Sequence, residues 1–151
     1  MDELLESCDH CVVLLKFPNF SLSAVYFSQG KEQQILYDYI SDKSIQKITP
    51  KGIIIGDFNT GKTYSDESKR CFVYINAFIN LENIGLVNSW RSRNLEVMEF
   101  SWYSNVGSGF RIDHIFSTLE LGRHIKHIGY DHNARLERET DYSAMFVEFE
   151  D

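Results

Sequence analysis

Along the chain, apolar positions fall into short runs separated by polar breaks. Residues 11–17 (CVVLLKF) and 22–27 (LSAVYF) are two such runs, with Pro18-Asn19 between them. Short β-rich runs flanking a Pro-Asn break predict an antiparallel hairpin. After Ser28-Gln29-Gly30 the spacing changes. Ile35, Leu36, Tyr39 and Ile40 recur at helical intervals, with Ile45 and Ile48 extending the pattern. Pro50 closes that helix, because the residue before a proline is steered out of the α region.

Residues 52–58 (GIIIGDF) form a continuous apolar run that ends in polar residues. This predicts a strand buried on both faces that delivers Asp57 and Asn59 at its C-terminal end. In an extended segment, residues two apart point to the same face. A polar loop over 60–68 leads to a second helix over 69–82, carried by Phe72, Val73, Ile75, Phe78 and Ile79. Further strands are expected at 101–103, 111–117, 125–130 and 144–149. Without an internal repeat or linker, this order predicts one α/β (α+β) layered domain spanning 1–151.

Composition narrows the function classes. The 151 residues are 43% apolar and 14% aromatic, which excludes a disordered chain. No apolar run approaches the roughly 20 residues of a membrane helix. The start, MDELLESCDH, has neither the basic nor the apolar region of a secretory signal. Three cysteines without such a signal point to the cytoplasm and reduced thiols. Cys8-Asp-His-Cys11 has the spacing of half a zinc site, but no second pair completes it. The net charge of −7 argues against a broadly basic nucleic-acid surface. A local cleft or a bound cation can reverse that sign at one site.

The informative chemistry lies in four pieces: Gly56-Asp57-Phe58-Asn59, Ser101-Trp102-Tyr103-Ser104, Arg111-Ile112-Asp113-His114-Ile115-Phe116 and Thr140-Asp141-Tyr142-Ser143. Strand ends in layered α/β proteins gather polar groups around ligands. A carboxylate beside an amide donor orients a water and stabilises charge on a phosphoryl oxygen. Other polar residues have simpler roles. His114 points away from Asp113 as a structural residue, and Trp102 and Tyr103 read as core or sheet-face aromatics. Arg91, Arg93 and Arg111 form a basic cluster, either solvated or on phosphate. His124, His127 and His132 read as surface residues, with metal binding as the alternative.

These motifs, in this order, resemble the endonuclease/exonuclease/phosphatase superfamily, DNase I-like and apurinic-endonuclease-like. GDFN follows an apolar strand, a Trp-containing strand precedes RIDHIF, and TDYSAMFVEF is similar to the family's SDHS motif. The resemblance implies a partial DNase I-like four-layer sandwich. It implies Asp57 as the carboxylate that activates water, Asn59 as a donor to a phosphoryl oxygen, and Asp113 as an orienting carboxylate. Asp141 would lie at the metal and water network, with Tyr26, Arg111 and Tyr142 contacting substrate. Mg²⁺ or Mn²⁺ is the implied cofactor, and a phosphoester, foremost in nucleic acid, the implied substrate.

Two departures limit that expectation. The stretch before Tyr26 is too short for the family's first strands and metal-binding glutamate, and neither Glu3 nor Glu6 has a strand to present it. Tyr142 stands where the family has histidine, and a phenol is never cationic. The expected protein is therefore a divergent, truncated phosphodiesterase with weak or lost activity. The alternatives are an inactive module that binds protein or nucleic acid, and a fragment whose other half lies upstream. A shortened sheet would leave an open edge or face, so a homodimer or protein partner is expected, without a membrane.

Overall fold

The computed structural model describes residues 11–42, 51–68 and 72–150. Cys8, Glu3, Glu6, the helix extension through Ile45 and Ile48, and the expected helix start at Lys69 lie outside the described residues.

Strand β1 (Val12–Lys16) pairs antiparallel with β2 (Ser21–Tyr26), with Leu15 opposite Leu22. Helix α1 (Lys31–Ser41) then leads toward β3 (Gly52–Asp57), which lies parallel to β2. Helix α2 (Ile75–Asn83), β4 (Leu86–Asn88), β5 (Trp102–Tyr103) and β6 (Gly109–Phe110) follow. After them come β7 (Asp113–Thr118), the short α3 (Leu119–Gly122), β8 (Ile125–Asp131), α4 (Asn133–Leu136) and β9 (Ala144–Phe149). One five-stranded sheet has the order β1-β2-β3-β7-β4, while β5-β6 and β8-β9 form two-stranded sheets.

The alternation within β2 and β3 sorts side chains onto two faces. Val25 and Ile54 join Leu36, Tyr37, Ile40, Phe78 and Phe116 beneath α1 and α2. On the opposite face, Ile53 and Ile115 meet Ile128, Met145, Val147 and Phe149 from the β8-β9 ribbon. The layers are thus helices, central sheet and second ribbon, a mixed α/β sandwich. Phe58 is fully buried and touches Phe27, Phe78 and Phe116, so the residue after Asp57 anchors the end of β3 in the core. Gly56 has φ 144°, and a Cβ there would lie 1.9 Å from the Val25 carbonyl oxygen. Only glycine lets β3 lie this close to β2 immediately before Asp57.

The second helix begins later than its apolar spacing predicts. Phe72 and Val73 are held outside it: the Glu67 carboxylate accepts from the Phe72 amide at 3.0 Å, and Thr60 Oγ1 donates to the Val73 carbonyl at 2.5 Å. Tyr74 then adopts a left-handed conformation (φ 58°) ahead of Ile75. No helix of the described residues is long and apolar enough to cross a membrane.

Candidate functional site

The C-terminal end of β3 places Asp57 directly opposite Asp113 at the start of β7, and beside Tyr26 at the end of β2. Asn59 reaches Asp57 by a turn rather than by strand alternation. Its φ is 49°, and its amide donates to Asp57 Oδ1 at 2.7 Å, a local loop that Asx residues favour. The expectation that an extended backbone aligns Asp57 with Asn59 is corrected accordingly. Asn59 Nδ2 donates to the Phe27 carbonyl at 2.6 Å, and Gln29 Nε2 donates to Asn59 Oδ1 at 3.2 Å. The amide is therefore fixed in orientation from both ends.

Asp113 is held from behind. Ser101 Oγ accepts from the Ile112 and Asp113 amides, each at 3.1 Å, and Tyr130 donates to the Asp113 carbonyl at 2.7 Å. Its Oδ2 is buried without a hydrogen-bond partner among the described residues. The Tyr142 hydroxyl lies 3.5 Å from Asp57 Oδ2, and its ring is near Trp102. Asp141 sits next to it, but Trp102 Nε1 donates to its Oδ2 at 2.7 Å.

Burial, then the charge of Asp113, pushes the Asp57 carboxyl up to about 7, against the Asn59 amide and the Tyr142 hydroxyl. Burial likewise raises Asp113. Burial and then Asp57 raise the Tyr142 phenol well above its usual range, with Asp113, Asp141 and Tyr26 adding to the effect. A carboxyl pushed up to about 7 beside a phenol that stays protonated can serve as a base paired with a donor. Next to Asn59 a cavity of about 580 Å³ opens, lined by Gln33, Phe72, Tyr74, Trp102 and Phe110.

Arg111 is elsewhere, and its expected phosphate contact is corrected. It is fully buried, ion-paired with Asp66, and its guanidinium lies 4.0 Å from the Trp90 ring centroid. Arg91 joins the same Asp66 carboxylate at 2.9 Å, and Arg93 donates to the Ser89 and Gly122 carbonyls. The three arginines brace the interior and backbone rather than form one basic face. His114 is also buried, and burial pushes its imidazole down to about 3, so it is neutral. It lies 2.9 Å from the Thr60 carbonyl, to which its Nε2–H donates.

The implied Mg²⁺ or Mn²⁺ would need several oxygen donors converging at this strand end. Asp57 and Asp113 stand side by side, but Asp141 is engaged by Trp102. No group of three or more His, Cys, Asp or Glu among the described residues is placed to hold a metal. These residues do not fit a complete divalent-cation site. His127 pairs with Glu148, and His132 with Ser143 and Glu99, and neither belongs to a metal-holding group among the described residues.

Sequence reasoning missed Ser101, Gln29 and Trp102 Nε1 as parts of the site. Their contacts cross between segments far apart in the chain. The serine directly before Trp102 was the available signal.

No family model matches the chain, and no curated protein matches it. Solved structures do. The 3′ phosphatase NExo from Neisseria, bound to a product DNA hairpin, superposes with a TM-score of 0.78 at 21% identity. The 3′-5′ exonuclease NExo from Neisseria meningitidis gives 0.78 at 23%. An AP endonuclease from Archaeoglobus fulgidus gives 0.79 at 19%. The chain has a DNase I-like fold. In each case 93% of the chain is matched, and it spans 65% of the neighbour's length. The sandwich fold is thus shared, and in this chain Asp57 and Asp113 stand on neighbouring strands of the central sheet.

Proposed function

We propose that the site hydrolyses phosphodiesters, with nucleic acid as the substrate class and with less power than a histidine-bearing site. The observation that carries this reading is the placement of the buried Asp57 carboxyl at the strand end beside Asn59, Asp113 and Tyr142, where burial pushes it up to about 7. Asp57 takes a proton from a water whose oxygen bonds to phosphorus. The ester P–O bond breaks, and the leaving oxygen takes a proton from solvent. Asn59 donates to a phosphoryl oxygen through the Nδ2–H that the Phe27 carbonyl does not hold, and once Asp57 carries the proton the neutral Tyr142 phenol turns its single hydrogen from Asp57 to a second phosphoryl oxygen. A neutral donor in place of a cationic one leaves less stabilisation, and loss of one such donor costs roughly 100–1000-fold. The aromatic-lined cavity next to Asn59 suits a sugar or base adjoining the scissile phosphate. A divalent cation acting here needs a further ligand from outside the described residues.

The test is hydrolysis of bis-p-nitrophenyl phosphate and of labelled oligonucleotides, with Mg²⁺ or Mn²⁺ present. The reading expects slow cleavage, lost in Asp57→Ala and increased in Tyr142→His. Cleavage unaffected by Asp57→Ala would refute it.

A second reading draws on β1, which among the described residues forms an edge of the central sheet. Val13, Leu14 and Leu15 are each between 42% and 51% exposed there, on both faces. Such an edge suits pairing with a second copy or another protein. Light scattering at micromolar concentration tests it, and a monodisperse monomer would count against it.

A further inference from the structure

Away from the β3 end, four side chains form a directional hydrogen-bond chain. His132, at the end of β8, lies with Nδ1 2.7 Å from Ser143 Oγ and Nε2 2.9 Å from Glu99 Oε1. Arg135, on α4, donates from Nε to the same Ser143 Oγ at 2.9 Å, and its guanidinium rests 4.5 Å from the Tyr103 ring centroid. With the His132 proton placed on Nε2, the donors and acceptors match along the chain: Nε2–H donates to Glu99, Nδ1 accepts from the Ser143 hydroxyl, and Oγ accepts from Arg135.

The chain joins two segments distant in sequence at the residue that follows Tyr142. Backbone bonds hold one side of this segment. The Ser143 amide donates to the Ser101 carbonyl at 2.7 Å, and the Tyr103 amide donates to the Asp141 carbonyl at 3.3 Å. The side-chain relay fixes the other side, to Glu99 and to α4. A Ser–His–Glu order also suits a nucleophilic serine. Ser143, however, is only 4% exposed, and its Oγ already accepts from Arg135, so substrate has no access to it.

We propose that Glu99, His132, Ser143 and Arg135 act as a positioning relay that aims the Tyr142 phenol at Asp57. The proposal rests on the hydrolytic reading above for its purpose, but not for its test. The phenol meets Asp57 Oδ2 at 3.5 Å, the long limit of a hydrogen bond, so a displacement of a few tenths of an ångström ends the contact. The relay residues are positioning residues and touch no reacting atom.

The test follows the carboxyl carbon of Asp57 by ¹³C NMR through a pH titration of the full chain, with Asp57→Asn used to assign the signal. Loss of a donor to the charged carboxylate raises its midpoint. Tyr142→Phe sets the full upward shift, expected to be roughly half a unit or more. Ser143→Ala and Glu99→Ala are expected to reproduce at least half of that shift. Glu99→Gln, which keeps the acceptor oxygen, is expected to restore the native midpoint. Glu99 is part-exposed, so its variants fold even where Ser143→Ala does not. A native midpoint in Glu99→Ala alongside a shifted Tyr142→Phe would overturn the relay. A native midpoint in Tyr142→Phe would overturn it too, by removing the contact it is said to aim. The expected shifts in a protein that cleaves no phosphodiester would leave the relay standing and refute only the hydrolytic reading.

Discussion

Replacing Asp57 with asparagine separates the use of this carboxylate from the cost of burying it. The folded carboxyl titrates near 7, against an ordinary value of 3.8. The folded chain therefore binds this proton more tightly than the unfolded chain. The stability tied to that proton is fully present below about pH 3.8 and is lost as pH rises through 7. Asparagine is isosteric and uncharged, and with its oxygen accepting from the Asn59 amide its NH₂ takes the place of Oδ2 beside the Tyr142 hydroxyl. Relative to the native chain, Asp57→Asn should thus gain about 1 kcal/mol at pH 4.5 and about 4 kcal/mol at pH 8. In a chain of this size the pH 8 gain raises Tm by roughly 8–16 °C. The assay is thermal unfolding of both proteins, followed by circular dichroism at the two pH values. A pH-independent difference, or a less stable variant at pH 8, would refute the reasoning. In the same variant, phosphodiester hydrolysis should fall by roughly 100-fold or more, since the base is gone.

Further outcomes follow from other contacts. Asp66→Ala leaves Arg111 buried without its carboxylate and should cost about 3–5 kcal/mol in urea unfolding, whereas a phosphate-binding Arg111 would leave stability unchanged. Gly56→Ala forces a Cβ against the Val25 carbonyl and should abolish soluble expression or cost more than about 3 kcal/mol. Log kcat/KM should rise with unit slope below about pH 7 and then level, as Asp57 loses its proton. A flat profile from pH 5 to 9 would contradict that role.

Much of this fold was legible because its central strand is buried on both faces. The GIIIGDF run needs no alternation to read as a strand, and it places Asp57 at the strand's end. The hairpin over β1 and β2 was equally legible from its Pro-Asn break. The start of α2 was not, because Glu67 and Thr60 capture the backbone of Phe72 and Val73 through tertiary contacts. Strands β4 and β6 are too short to set a period. Arg111 looked like a phosphate ligand because its neighbours in sequence are site residues. Its true partner, Asp66, lies on a distant loop that no local pattern connects to it. Asn59 stands beside Asp57 through a left-handed turn, not through the strand alternation its spacing suggests. The gathering of Tyr142 against Asp57 depends on the Ser101 and Ser143 contacts, which only the folded chain displays.

The most direct measurement is the titration of the Asp57 carboxyl in the native protein, read from its ¹³C chemical shift. A proton lost near pH 7 is the predicted result. A midpoint near 4, the value of an ordinary solvated aspartate, would mean that β3, β7 and the Tyr142 segment do not enclose this group together.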